Sequence, residues 1–196
     1  MALWGASDSD ESKPKNLTTA EKKEVFANAT GWVREAGSAW SGNDNTDADP
    51  ELLVAISALS TSIGAADVTG VEWITATADR SAGFTLSVRV RYNEPVAVTG
   101  SPTLAVTNGN QGSGSGRGPH TLVYASGTGS NELVFNLAIA AANAATKVDD
   151  VLTIGAQNIA KPGSATIKDA SGTDSDSAVA ISAAQGTAAG SVTVVA

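Results

Sequence analysis

The side chains able to do chemistry are few and scattered. There is one histidine, His120, and no cysteine. A Ser–His–Asp set would rest on His120 alone, and the usual zinc sets, built from several Cys and His ligands, are excluded. His120 follows Asn108–Pro119, NGNQGSGSGRGP, with five glycines. Backbone N–H groups of a Gly-rich loop cradle phosphate when the loop runs from a strand into a helix and closes on Gly-Lys-Ser or Gly-Lys-Thr. That frame is missing here, so the stretch reads as a hairpin loop, with Arg117 and His120 as its partner-facing groups. His120 itself is expected to be solvated or at a strand edge.

Carboxylates gather twice, at Asp44/Asp47/Asp49 and at Asp169/Asp174/Asp176. Oxygen-rich loops bind calcium, but the first group lacks the Gly and Glu positions of an EF-hand loop. The second, DASGTDSD, reads as a β-turn. Paired carboxylates that hydrolyse glycosides need a cleft with aromatic platforms. Most of the nine aromatic residues instead fall at expected core or N-terminal positions. No catalytic constellation and no cofactor site emerge, and the chain reads as non-enzymatic.

Net charge is −8, and residues 1–70 carry −6 of it, with 11 acidic and 5 basic side chains. Such a chain repels nucleic acid and anionic membranes, and a protein surface suits it better. The start, MALWGASDSDESKPK, lacks the basic and apolar regions of a secretory signal, and no run of about 18 apolar residues occurs. Neither conventional secretion nor a membrane span is expected.

Two regions follow. Residues 1–70 read as an attachment region, and residues 71–196 as a β-sandwich. Residues 1–16 are too polar to order in isolation and are expected to order on a partner. In LTTAEKKEVFANAT, residues 17–30, Thr18 and Glu21 form a capping-box pattern for a short helix, while Val25 and Phe26 suit a strand equally. GWVRE (31–35) and ELLVAI (51–56) read as short strands, joined by some fifteen small and acidic residues. A loop of that length is usually functional. Trp4, Trp32 and Trp40 all lie in the first forty residues, which offer too little apolar mass to bury three indoles. Leu3, Trp4, Phe26, Trp32, Trp40 and Leu53 are therefore the expected interface. Residues 60–70 read as a linker.

The sandwich is organised around Phe84–Val106. Phe84, Leu86, Val88, Val90 and Tyr92 alternate with Thr85, Ser87, Arg89 and Arg91, the period of a strand with one dry face. Arg89 and Arg91 then mark an ordinary wet face, and Pro95 is expected to end the strand. Further strands are expected at 71–76, 103–107, 121–125, 131–139, 151–154, 165–168 and 178–182, with SVTVVA as an eighth strand or a tail pairing with a neighbour.

VRYNEPVAVTGSPTLAV, HTLVYASGTGSNELVFNLAI and ATIKDASGTDSD together resemble the bacterial immunoglobulin-like repeats of large surface proteins, over about residues 71–182. That resemblance implies an all-β, immunoglobulin-like sandwich, here preceded by an extended N-terminal arm with a short β-hairpin. MALWGASDSDESKPKNL, ANATGWVREAG and PELLVAISALS are similar to the start of virion structural proteins of tailed cyanophages. This second resemblance implies a capsid decoration or cement protein. Its partner would be the major capsid protein, together with neighbouring virion proteins or further copies of itself, on the capsid exterior after synthesis in the host cytoplasm. A tail, neck or fibre-associated protein is the alternative within the virion. A host-surface or carbohydrate-binding module, with loop 108–120 as its site, is the alternative of another class.

Overall fold

The computed structural model describes residues 13–109, 118–170 and 176–196. Strands make up 46% of it and helical turns 8%, with a single α-helix. The chain is all-β, with a curled, sandwich-like main sheet.

Both readings of residues 17–30 are realised in succession. Thr18 donates from its backbone N–H and its hydroxyl to Glu21 Oε2, at 2.8 and 2.7 Å, and Glu21 N–H donates back to Thr18 Oγ1 at 3.3 Å. The pair closes one 3-10 turn, Glu21–Glu24, after which the backbone extends into β1, Val25–Asn28. Asn28 Oδ1 accepts from the N–H groups of Thr30 and Gly31, which folds the chain into a hairpin with β2, Gly31–Arg34. A third strand, β3 (Glu51–Ala55), pairs antiparallel with β2. Val25, Ala27, Trp32, Leu59 and Ile63 form a small core of their own beneath this sheet. Part of the expected linker thus belongs to that core, through Ile63.

The main sheet begins with β4, Val68–Trp73, and a short β5, Ala78–Asp79. Next come β6 (Phe84–Thr99), β7 (Thr103–Asn108), β8 (His120–Ser126) and β9 (Ser130–Ile139). The remainder are β10 (Val151–Thr153), β11 (Gln157–Asn158), β12 (Thr166–Asp169), β13 (Ala180–Ile181), helix α1 (Ala183–Ala189) and β14 (Ser191–Val195). The order is β12-β6-β9-β8-β7-β10-β14-β5, with β4 also on β6, and β11 and β13 pair separately. Leu86, Val88, Val90 and Tyr92 all face inward with no exposure, as their alternation requires. They pack among Leu104, Val106, Leu122, Leu133, Phe135, Ile167 and Val194.

Pro95 does not end the strand. β6 runs through it for 16 residues. The register against β9 shifts between Arg91 and Val96, and on its other edge β6 leaves β4 at Tyr92 and meets β12 at Val96. Pro95 occupies the gap where neither ladder needs an N–H, the setting in which a strand tolerates proline. Its carbonyl still accepts from Ala170 N–H at 3.0 Å.

The C-terminal strand pairs within the chain, antiparallel to β10 and parallel to β5. Helix α1 was not expected. Its start is a capping box: Gln185 N–H donates to Ser182 Oγ at 3.2 Å, and Ser182 N–H donates to Gln185 Oε1 at 2.7 Å. Residues 178–182 read as a strand, and AAQGTAA has no large apolar stripe to point to a helix.

Gly31 sets the joint between β2 and β3. Its φ of +141° lies outside the range that favours side chains, and a Cβ there would overlap the Val54 carbonyl. Gly31→Ala is expected to lower stability by about 1–3 kcal/mol in urea unfolding. An unchanged midpoint would contradict this packing.

Candidate functional site

The outward face of β6 is not wet at Arg91. Arg91 is only 6% exposed, because the β1–β3 sheet lies over it. Burying a guanidinium costs several kcal/mol unless charges and hydrogen bonds surround it. Here they do. Arg91 Nη1 donates to both oxygens of Glu35, at 2.6 and 2.7 Å, and to the Lys23 carbonyl at 3.0 Å. Arg91 Nε donates to Glu72 Oε2 at 3.1 Å. Glu132 Oε1 lies 2.6 Å from Nη1, an ion pair whose angles fall short of a hydrogen bond. Glu72 also holds Lys23 at 3.0 Å, Arg89 reaches Glu132 at 3.2 Å, and Asn131 donates to Glu35 at 2.7 Å.

Glu35 and Lys23 belong to the N-terminal region, whereas Arg91, Glu72, Asn131 and Glu132 belong to the main sheet. One guanidinium therefore bonds the two regions together. Burial works against its charge, but Glu35 and Glu132 outweigh burial and raise its pKa further. Burial pushes the Glu132 carboxyl up to about 7, against the pull of Arg91 and with help from Glu35. Burial and the neighbouring Arg91 together lower the Lys13 ammonium to about 8.

On the same region, the loop between β2 and β3 presents Trp40. Glu24, itself 8% exposed, accepts from the backbone N–H of Ala39 and of Trp40, each at 3.1 Å. Arg34 Nη1 donates to the Trp40 carbonyl at 2.8 Å and lies 3.6 Å from Glu51. The backbone is fixed on both sides while the indole stays 51% exposed. Leu52, on β3, is equally exposed at 51%. Asn43 Oδ1 accepts from Asn45 N–H, and Asn45 Oδ1 from Asp47 N–H, each at 3.0 Å, so the acidic tip is folded by its own side chains.

The six expected interface residues separate. Leu3 and Trp4 lie outside the described residues. Trp40 is on the surface. Trp32 is fully buried in the N-terminal core, Phe26 is 8% exposed, and Leu53 packs partly against that core. Trp32 and Phe26 therefore offer almost no surface to a partner. The three-stranded sheet closes over Trp32, a burial that an isolated hairpin would not achieve. Leu52 was missed because its neighbour Leu53 was favoured; in a short strand of uncertain register the two differ only by which face each occupies.

A groove of about 650 Å³ opens on another side of the N-terminal region. Lys13, Lys22, Lys23 and Trp32 form one wall, Val68–Val71 of β4 another, and Ala184, Gln185 and Ala188 of α1 a third. Lys13 Nζ donates to the Lys22 carbonyl at 2.6 Å. Trp32 Nε1–H is buried and has no acceptor among the described residues.

His120 is also not solvated. It opens β8 and is 4% exposed, with Asp150 fully buried nearby. Burial lowers its pKa against the opposing pull of Asp150. Asp150 Oδ2 accepts from Asn108 Nδ2 at 2.7 Å and from Lys147 N–H at 2.9 Å. Most of the Gly-rich loop, residues 110–117, and Asp174 lie outside the described residues. Asp169 is buried, whereas Asp176 is exposed beside Lys161 at 3.9 Å.

Replacing Arg91 by Met should cost about 3–5 kcal/mol, because Glu35, Glu72 and Glu132 would be left facing one another; urea unfolding measures this, and a loss near zero contradicts the network. Glu132 supplies a pH test. Its folded pKa is raised, so the native state holds that proton more tightly than the unfolded chain. Its contribution is therefore most favourable at low pH and declines as pH rises through about 7. Glu132→Gln should flatten the fall in stability between about pH 5 and about pH 8. An identical slope in both proteins would contradict the raised pKa.

Comparison with known protein families, with curated proteins and with solved structures finds no match to this chain.

Proposed function

We propose that the chain is a non-enzymatic structural protein of a tailed cyanophage virion. Its role is capsid decoration, with the N-terminal region binding the major capsid protein lattice and the sandwich carried on the shell exterior. The resemblance of residues 1–17, 27–37 and 50–60 to the start of cyanophage virion proteins is what suggests the setting. The observation that supports the attachment role is Trp40: a large indole held half out of the protein by a buried carboxylate beneath its backbone. Fixing an exposed aromatic group in this way suits a partner, since rigid indoles anchor interfaces at low entropic cost. Many copies on one shell add weak contacts into a large collective effect.

Trp40→Ala leaves the folded core untouched and should lower occupancy on purified shells by about tenfold or more, the scale of an interface anchor. Occupancy read by gel densitometry of washed particles, with shell heat stability alongside, provides the check. Undiminished occupancy would overturn the attachment role of this loop.

A further inference from the structure

We infer that copies of this chain associate head to tail, the acidic loop of one copy seating in the lysine-walled groove of the next. The inference does not depend on the virion reading and is tested without shells.

The two surfaces are complementary in charge. Asp44, Asp47 and Asp49 are exposed at the loop tip, and none forms an ion pair among the described residues. On the groove wall, Lys22 has no carboxylate partner among the described residues, while Lys23 already pairs with Glu72. Lys13 spends one donor on a backbone carbonyl and has others left. Three lysines and one carboxylate, Asp67, line the groove, a local reversal of sign on a chain of net charge −8.

Trp32 lines the groove but is fully buried, so the contact is carried by the lysine side chains on its wall.

The loop cannot satisfy its own groove, since no residue of 36–50 lines it. Donor and acceptor surfaces therefore sit at different places on one molecule. Such a contact is heterologous, and it propagates into a ring or a filament according to the rotation between copies. The loop is folded in advance by the Asn43 and Asn45 side chains, so little ordering entropy is lost on docking.

Sedimentation velocity of the full chain at low ionic strength tests the contact. The parent protein should associate with rising concentration, and salt should weaken that association. Lys22→Glu and Asp47→Lys should each weaken it about tenfold or more, with circular dichroism unchanged. The double variant Lys22→Glu/Asp47→Lys should recover association, because the reversed groove meets a reversed loop. A parent protein that stays monomeric up to about 1 mM overturns the inference. So does association that neither single substitution weakens, or a double variant no stronger than the singles.

Discussion

A single guanidinium cannot be left half-satisfied inside a protein, and Arg91 is inside this one. It sits on the middle of the longest strand, pointing away from the sandwich core. Its partners come from both sides: Glu35 and the Lys23 carbonyl from the N-terminal region, Glu72 and Glu132 from the main sheet. Neither region supplies the whole set. The sandwich without its cover would expose Arg91 to water, where its attraction to carboxylates is weak. With the cover in place, the same contacts act in a low-dielectric site and become strong and demanding. The position of the β1–β3 sheet follows from that demand.

This constraint gives the surfaces their geometry. Glu24 is on the turn leading into β1, and its carboxylate holds the backbone under Trp40. Lys22 and Lys23 are on the same turn and face the groove beside β4 and α1. One 3-10 turn of four residues therefore contributes to the Arg91 network, the exposed indole and the basic wall. Such economy is available only because the turn is fixed to the main sheet through the Lys23 carbonyl and the Glu72 carboxylate.

The strand alternation was fully legible. Phe84 to Tyr92 declared both its core face and its outward face, and the strands of residues 71–196 fall near their expected positions. What lay on the outward face was not legible. Arg89 and Arg91 look like solvated strand residues because alternation reports side, not coverage. The cover is 56 residues away in sequence at Glu35, and single-sequence patterns do not carry such pairings. Trp32 and Trp40 show the same limit. Both read as indoles without a core, yet a third strand closes over Trp32 while a backbone anchor keeps Trp40 outside. Pro95 was misjudged for a related reason: a proline ends a strand only where a partner needs its N–H, and β6 changes partners at that residue.

Native-state hydrogen exchange tests the central claim, that Arg91 makes the N-terminal sheet and the sandwich one cooperative unit. The amides of β1 and β2, residues 25–28 and 31–34, are compared with those of Leu86–Tyr92 as denaturant rises from zero. With Arg91 coupling them, both sets converge on one opening free energy with one denaturant slope. Exchange of the β1 and β2 amides through a separate, lower-energy opening, with the β6 amides still protected, would contradict it.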